Sequence, residues 1–209
     1  MEYLSERESI IAACLYMQRS GMIKGTSGNI SVRVAEGVLI TPSGTDYELL
    51  KPEDISLVSL EGQALSGAKP SSEMPLHLAV YKAREDVGAV VHSHSRFSTV
   101  MASLCEVLPA VTVPGCEFYP VKSAPFVLPG SEELADVTVE KLGKGSAVLM
   151  EHHGLLCAGK NLPAAMKAAE YVEENAEIAY WLHLSQRPVS IGETDIMRLK
   201  ANLAAGKAI

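Results

Sequence analysis

Apolar positions along the chain switch between a helical and an alternating period, and the switches mark its elements. From Ser5 to Arg19, Ile10, Ile11, Cys14, Leu15 and Tyr16 recur at helical spacing behind Ser5, and Gly21 stops the run. Asn29 to Val34 and Val38 to Thr41 alternate across Glu36-Gly37, the pattern of a hairpin. Ile55 to Leu60 reads as a further strand closed by Glu61-Gly62. Ser72 is placed to cap a helix that buries Leu76, Val80 and Ala83. The continuous apolar run Val87 to Val91 reads as a buried strand ending at His92, followed by a helix through Val100, Met101 and Leu104. Prolines break the stretch from Pro109 to Pro129 into loops. Ser131 then caps a helix to about Leu142. Strands Ala147–Glu151 and Leu155–Cys157 follow, then a long amphipathic helix from about Pro163 to Leu184, and a short helix or tail over Thr194–Ala205. Hairpins mixed with peripheral helices predict an α/β domain on a largely antiparallel sheet.

The chemistry stands at the ends of the apolar runs. His92 and His94 are two apart behind a buried strand, so on extended chain their imidazoles share a face and can reach one cation. A second histidine pair, His152-His153, ends the run Ala147–Met150. Adjacent strand residues point to opposite sides, so one of the two is a ligand, and spacing does not choose. Three imidazoles with an open fourth position describe a catalytic zinc site, and Glu73 is an acid/base able to work beside it. His77 and His183 lie on helical patterns without partners and read as core or surface histidines. Three short loops, Gly25–Asn29, Pro42–Gly44 and Pro70–Ser72, offer backbone N–H groups and hydroxyls without bulk, which suits a phosphate dianion. Ser71 and Ser72 also open a helix, whose free N–H groups favour an anion next to Glu73.

Composition narrows the function classes. The 209 residues, 47% of them hydrophobic, suffice for one large core or two small ones. A net charge of −7 with no basic stripe argues against nucleic-acid binding. The acidic, polar start is unlike a signal peptide, and no apolar run approaches the roughly 18–20 residues that span a bilayer. Cys14, Cys105, Cys116 and Cys157 form no CxxC pair and read as reduced thiols of a cytoplasmic protein.

Taken in order, Gly-Thr-Ser-Gly-Asn-Ile-Ser (25–31), Thr-Pro-Ser-Gly (41–44), Pro-Ser-Ser-Glu (70–73), Val-His-Ser-His (91–94) and Glu-His-His-Gly (151–154) resemble the class II aldolase/adducin family, in its L-fuculose 1-phosphate aldolase branch. The resemblance implies a single domain over residues 1–209, with a core at about 5–185 and a tail at 186–209. It implies a central, largely antiparallel sheet with helices on both sides. His92, His94 and His153 would hold one zinc ion per subunit, joined by Glu73 in the resting state. Gly28, Asn29, Ser43, Gly44, Ser71 and Ser72 would grip the substrate phosphate. The implied reaction cleaves L-fuculose 1-phosphate, or a similar deoxyketose 1-phosphate, to dihydroxyacetone phosphate and a small aldehyde such as L-lactaldehyde, with Glu73 as acid/base. The family also implies a homotetramer with active sites at subunit interfaces.

The resemblance weakens on the aldehyde side. Where the family places aromatic side chains, this chain holds Val113 and Pro129, and no tyrosine follows Tyr180. A 5-deoxypentulose 1-phosphate is an equal expectation there. Sugar-phosphate 4-epimerases and methylthioribulose 1-phosphate dehydratases of the family are alternatives, in which Glu117 would be a second acid/base. A non-catalytic, adducin-like association domain is the remaining one.

Overall fold

The computed structural model describes residues 1–186 and 190–206; the expected tail at 186–209 therefore falls partly outside the described residues. Among the described residues nine strands form one sheet: β1 (Asn29–Val34), β2 (Gly37–Ile40), β3 (Ser56–Val58), β4 (Ala64–Ser66), β5 (Ala89–Ser93), β6 (Val107–Leu108), β7 (Val121–Ala124), β8 (Ala147–Met150) and β9 (Gly154–Gly159). Their spatial order is β4-β3-β2-β1-β5-β9-β8-β7-β6. Every pairing is antiparallel except β7 with β8, so the sheet is mixed but largely antiparallel, as the alternation predicts.

The strands are apolar on both faces because helices cover both. On one face, α1 (Leu4–Arg19), α3 (Arg96–Ala102) and α6 (Leu162–Leu184) pack Ile10, Cys14, Met101, Ala169 and Val172 against Ile30, Leu39, Val91 and Leu155. On the other, α2 (Met74–Ala83) and α5 (Glu132–Leu142) set Leu76, Val80, Leu134 and Leu142 against Ile40, Val90, Val148 and Leu156. α4 (Val113–Cys116) and α7 (Glu193–Ala204) join through Cys116 and Ile196. No described helix is long and apolar enough to cross a membrane. Cys14, Cys116 and Cys157 are buried free thiols, and Cys105 is half-buried.

Three local expectations change. Ser72 does not cap α2: Glu73 occupies the cap position, and Ser71 Oγ accepts the Glu73 N–H at 3.2 Å. The loop-rich stretch holds α4 and β7, and β6 pairs with β7 from just before it. The strand foreseen over Ile55–Leu60 is shorter, because the 3₁₀ turn Pro52–Asp54 precedes it and a tight turn folds β4 back onto it. The C-terminal segment is a helix, anchored by Ile196.

Register then decides where the chemistry meets. Asn29 pairs with His92, Ser93 with Leu155, and Met150 with Gly154, so the motif-bearing ends of the interior strands β1, β5, β8 and β9 lie together at one end of the sheet. Gly28 and Gly154 make this convergence possible. A Cβ on Gly28 would lie 2.9 Å from the His92 carbonyl oxygen, and one on Gly154 would lie 2.1 Å from that of Ser93.

Candidate metal and substrate site

Glu73, His92, His94 and His153 converge with one ligand atom each, all within 4.8 Å of one another. Strand alternation turns His92 toward the face covered by α2, and the start of that helix delivers Glu73 to the same place. His92 is fully buried, and its Nδ1–H donates to the Leu155 carbonyl at 3.0 Å, leaving Nε2 with a bare lone pair. That Nε2 lies 3.1 Å from His94 Nε2 and 3.2 Å from Glu73 Oε2. His153 Nε2 lies 3.0 Å from Glu73 Oε1, out of hydrogen-bond alignment, so this buried oxygen has no hydrogen-bond partner among the described residues.

This donor set fits a divalent cation. Ligands about 2.0–2.1 Å from a tetrahedral zinc stand roughly 3.3–3.4 Å apart, close to the separations here. Two imidazole nitrogens 3.1 Å apart, with a buried Glu73 oxygen that has no hydrogen-bond partner among the described residues, are a donor set that one shared cation would satisfy. Burial, with His92 and His153 adjoining, lowers the His94 pKa to about 4, so its lone pair is free at neutral pH. Burial by itself would raise Glu73, but His153, His92 and the Asn29 amide outweigh it and hold the carboxyl well below the usual range.

A buried polar chain runs behind Glu73. Asn29 Nδ2 donates to Glu73 Oε2 at 2.8 Å, and Asn29 Oδ1 accepts from His77 Nε2 at 2.5 Å. Ser31 Oγ lies 2.6 Å from His77 Nδ1 and 2.9 Å from the Tyr81 hydroxyl. An amide that must donate to a carboxylate presents only its oxygen to His77, which fixes His77 as the Nε2–H tautomer. Burial, followed by the nearby His92, pushes the His77 pKa down to about 3, so the chain stays neutral beyond Glu73. His77 is a satisfied core histidine, yet through Asn29 it orients the carboxylate. The one signal in the sequence was its place four residues after Glu73, on the same side of a helix.

A cavity of about 440 Å³ opens over the cluster. Gly28, Asn29, Ser43, Gly44, Ser71 and Ser72 all line it, so the three loops singled out for phosphate meet beside the histidine and glutamate cluster. An antiparallel bridge between Pro42 and Pro70, with Ser71 N–H donating to the Thr41 carbonyl, locks two of them together. Of the two adjacent histidines, buried His153 joins the cluster, whereas exposed His152 lines the outer cavity. Glu117 is not brought there: both its carboxylate oxygens take hydrogen bonds from Lys167 Nζ, at 2.9 and 2.7 Å. Val113 opens α4, away from the lining, while Pro129 is part of it.

Comparison with known proteins agrees with this geometry. The sequence model of the "Class II Aldolase and Adducin N-terminal domain" matches residues 8–180. The 5-deoxy-D-ribulose 1-phosphate aldolase of Bacillus thuringiensis serovar kurstaki is 40% identical over 196 residues, 92% of this chain and 89% of that protein. The L-fuculose phosphate aldolase of Haemophilus influenzae is 39% identical over 170 residues, 79% of this chain and 78% of its own. A solved L-fuculose 1-phosphate aldolase superposes with a TM-score of 0.90 at 30% identity, covering 95% of both chains.

Proposed function

The chain belongs to the class II aldolase and adducin family, and from that premise we propose a metal-dependent aldolase. It would cleave L-fuculose 1-phosphate or a similar deoxyketose 1-phosphate reversibly to dihydroxyacetone phosphate and a small aldehyde. The observation that carries this reading is a single cavity in which three imidazoles, one carboxylate and three phosphate-suited loops meet. An association domain has no use for such a convergence of buried polar groups, each of which costs free energy to desolvate. The names of the relatives, both aldolases of deoxysugar phosphates, support the substrate class.

In this reading His92, His94 and His153 hold one zinc ion per subunit, which when bound supplies Lewis-acid polarisation of the ketose oxygens. Ser71, Ser72 and the Gly28 and Gly44 loops fix the phosphate. Glu73, steadied by Asn29, is the one carboxylate among the residues lining the cavity and so the group to move the proton. It takes that proton from the donor carbon in condensation and returns it in cleavage. The Lys167 partnership of Glu117 favours aldol cleavage over epimerisation or dehydration, which would need a second acid/base in reach. The exposed apolar side chains Val100, Leu104, Ile178, Trp181 and Leu184, on and beside the packed helices α3 and α6, support assembly into a homotetramer.

The test is a cleavage screen of ketose 1-phosphates by the zinc-loaded protein, coupled to detection of dihydroxyacetone phosphate. We expect release from a deoxyketose 1-phosphate, about one zinc per chain, and loss of that zinc in His94→Ala. A zinc-loaded protein that releases dihydroxyacetone phosphate from none of them is not an aldolase of this class.

A further inference from the structure

Once the metal cluster and the phosphate-side loops are set aside, the cavity has a third wall: His152, Pro129 and Gly130. Sheet order fixes which part of a substrate meets it. β1 and β2, whose ends carry Gly28, Asn29 and the Pro42–Gly44 loop, lie on one side of β5. β9, β8 and β7, whose ends carry His152 and the 125–130 loop, lie on the other. A ketose 1-phosphate gripped by its phosphate on the first side, with its carbonyl at the imidazoles in the middle, extends its remaining carbons toward the second.

His152 is built to meet them. It has φ 56°, in the left-handed region that side chains other than glycine enter at a cost in free energy. On extended chain, neighbouring residues face opposite ways; this turn instead lets His152 and His153 line the same cavity. The ring of Phe126 stands edge-on against the His152 imidazole, with centroids 5.9 Å apart. Phe126 is itself fixed, because its N–H donates to Glu151 Oε2 at 3.2 Å and the Glu151 N–H donates to the Ala124 carbonyl at 3.1 Å. Of the three residues in this wall, His152 has the one side chain able to hydrogen-bond; Pro129 and Gly130 offer none.

We infer that His152 is a specificity-determining residue for the aldehyde half of the substrate: its imidazole hydrogen-bonds the hydroxyl beside the aldehyde carbon, Pro129 contacts the apolar end beyond it, and Phe126 positions the ring. The inference rests on the aldolase reading. It assigns His152 no proton transfer, since a neutral imidazole already offers one donor and one acceptor. It also replaces the missing aromatic wall with a polar contact from this chain's own β8–β9 turn.

The experiment condenses dihydroxyacetone phosphate with 2-hydroxypropanal or with propanal, using zinc-loaded wild type, His152→Gly and Phe126→Leu. Glycine takes the left-handed backbone without strain, so the first variant removes the ring and keeps the turn. Wild type should prefer the hydroxyaldehyde, and His152→Gly should lose roughly three- to tenfold of that preference, the worth of one hydrogen bond. The KM for dihydroxyacetone phosphate and the zinc content should stay at wild-type values, and Phe126→Leu should shift the preference the same way by less. A purely structural role would slow both aldehydes together or raise the donor KM, and either result overturns the inference. So does a wild type without the preference, or a His152→Gly protein that keeps it. A wild type that condenses no aldehyde at all overturns the aldolase reading itself.

Discussion

Glu73 shows how much of a residue's chemistry is set by what surrounds it. Its two oxygens have different partners: Oε2 accepts from Asn29 beside His92, and Oε1 faces His153 with no hydrogen bond. One oxygen is therefore anchored and the other left without a hydrogen bond beside His153. Glu73→Gln keeps the shape and can still accept from Asn29 through its amide oxygen, but it cannot take a proton. Cleavage should fall about 10²–10⁴-fold with little change in melting temperature. Glu117→Gln, which breaks only a half-exposed pair with Lys167, should leave cleavage within a few-fold of wild type. Steady-state kinetics on both variants checks the assignment; a larger loss in Glu117→Gln would move the proton-transfer role there. At this scale the clustered histidines were legible because they stand at the ends of apolar runs. The choice of His153 over His152 was not readable from spacing, since it depends on a left-handed turn. The Asn29–His77–Ser31–Tyr81 chain was hidden for another reason. Its members come from β1 and α2, and only the folded register makes them neighbours.

Among the elements, the long periodic ones were legible and the short ones were not. α1, α5, α6 and the β1–β2 hairpin carry their own period, and α5 and α6 also their caps: Ser131 Oγ accepts from the Leu134 N–H and Asn161 Oδ1 from the Ala164 N–H. β7 was lost among prolines because four residues cannot display a period, and its identity comes from pairing with β8. β4 has no buried side at all, so nothing in its sequence sets it apart from a loop. The β8–β9 turn joins element to site: Gly154 starts β9 directly after His153, with its α-carbon against the Ser93 carbonyl. Gly154→Ala would push a methyl to 2.1 Å from that oxygen and force β9 away from β5. We expect a loss of about 1–3 kcal/mol in unfolding free energy, as for other overpacked sites. Zinc occupancy should fall as well, because His153 moves relative to His92 and His94. Denaturant melts and metal analysis of the one variant read both effects; wild-type values in both would mean the close approach is not needed.

For the molecule as a whole, sheet order predicts what the metal does for stability. The four clustered side chains come from the start of α2, from β5 and the residue after it, and from the turn between β8 and β9. A bound cation therefore ties together three pieces of chain separated in sequence, two of which hold sheet strands in register. The same groups, without a cation, crowd two imidazole nitrogens and a carboxylate oxygen at about 3 Å. A cation that binds this folded arrangement and not the extended chain stabilises it by mass action, about 2.7 kcal/mol at a hundredfold excess over Kd. Each kcal/mol moves the midpoint of a chain this size by about 2–4 °C. A strong chelator should thus lower the melting temperature of wild type by roughly 5–10 °C and leave that of His94→Ala unmoved, which calorimetry with and without chelator would read. A drop of the same size in both proteins would place the stabilising ion elsewhere in the fold.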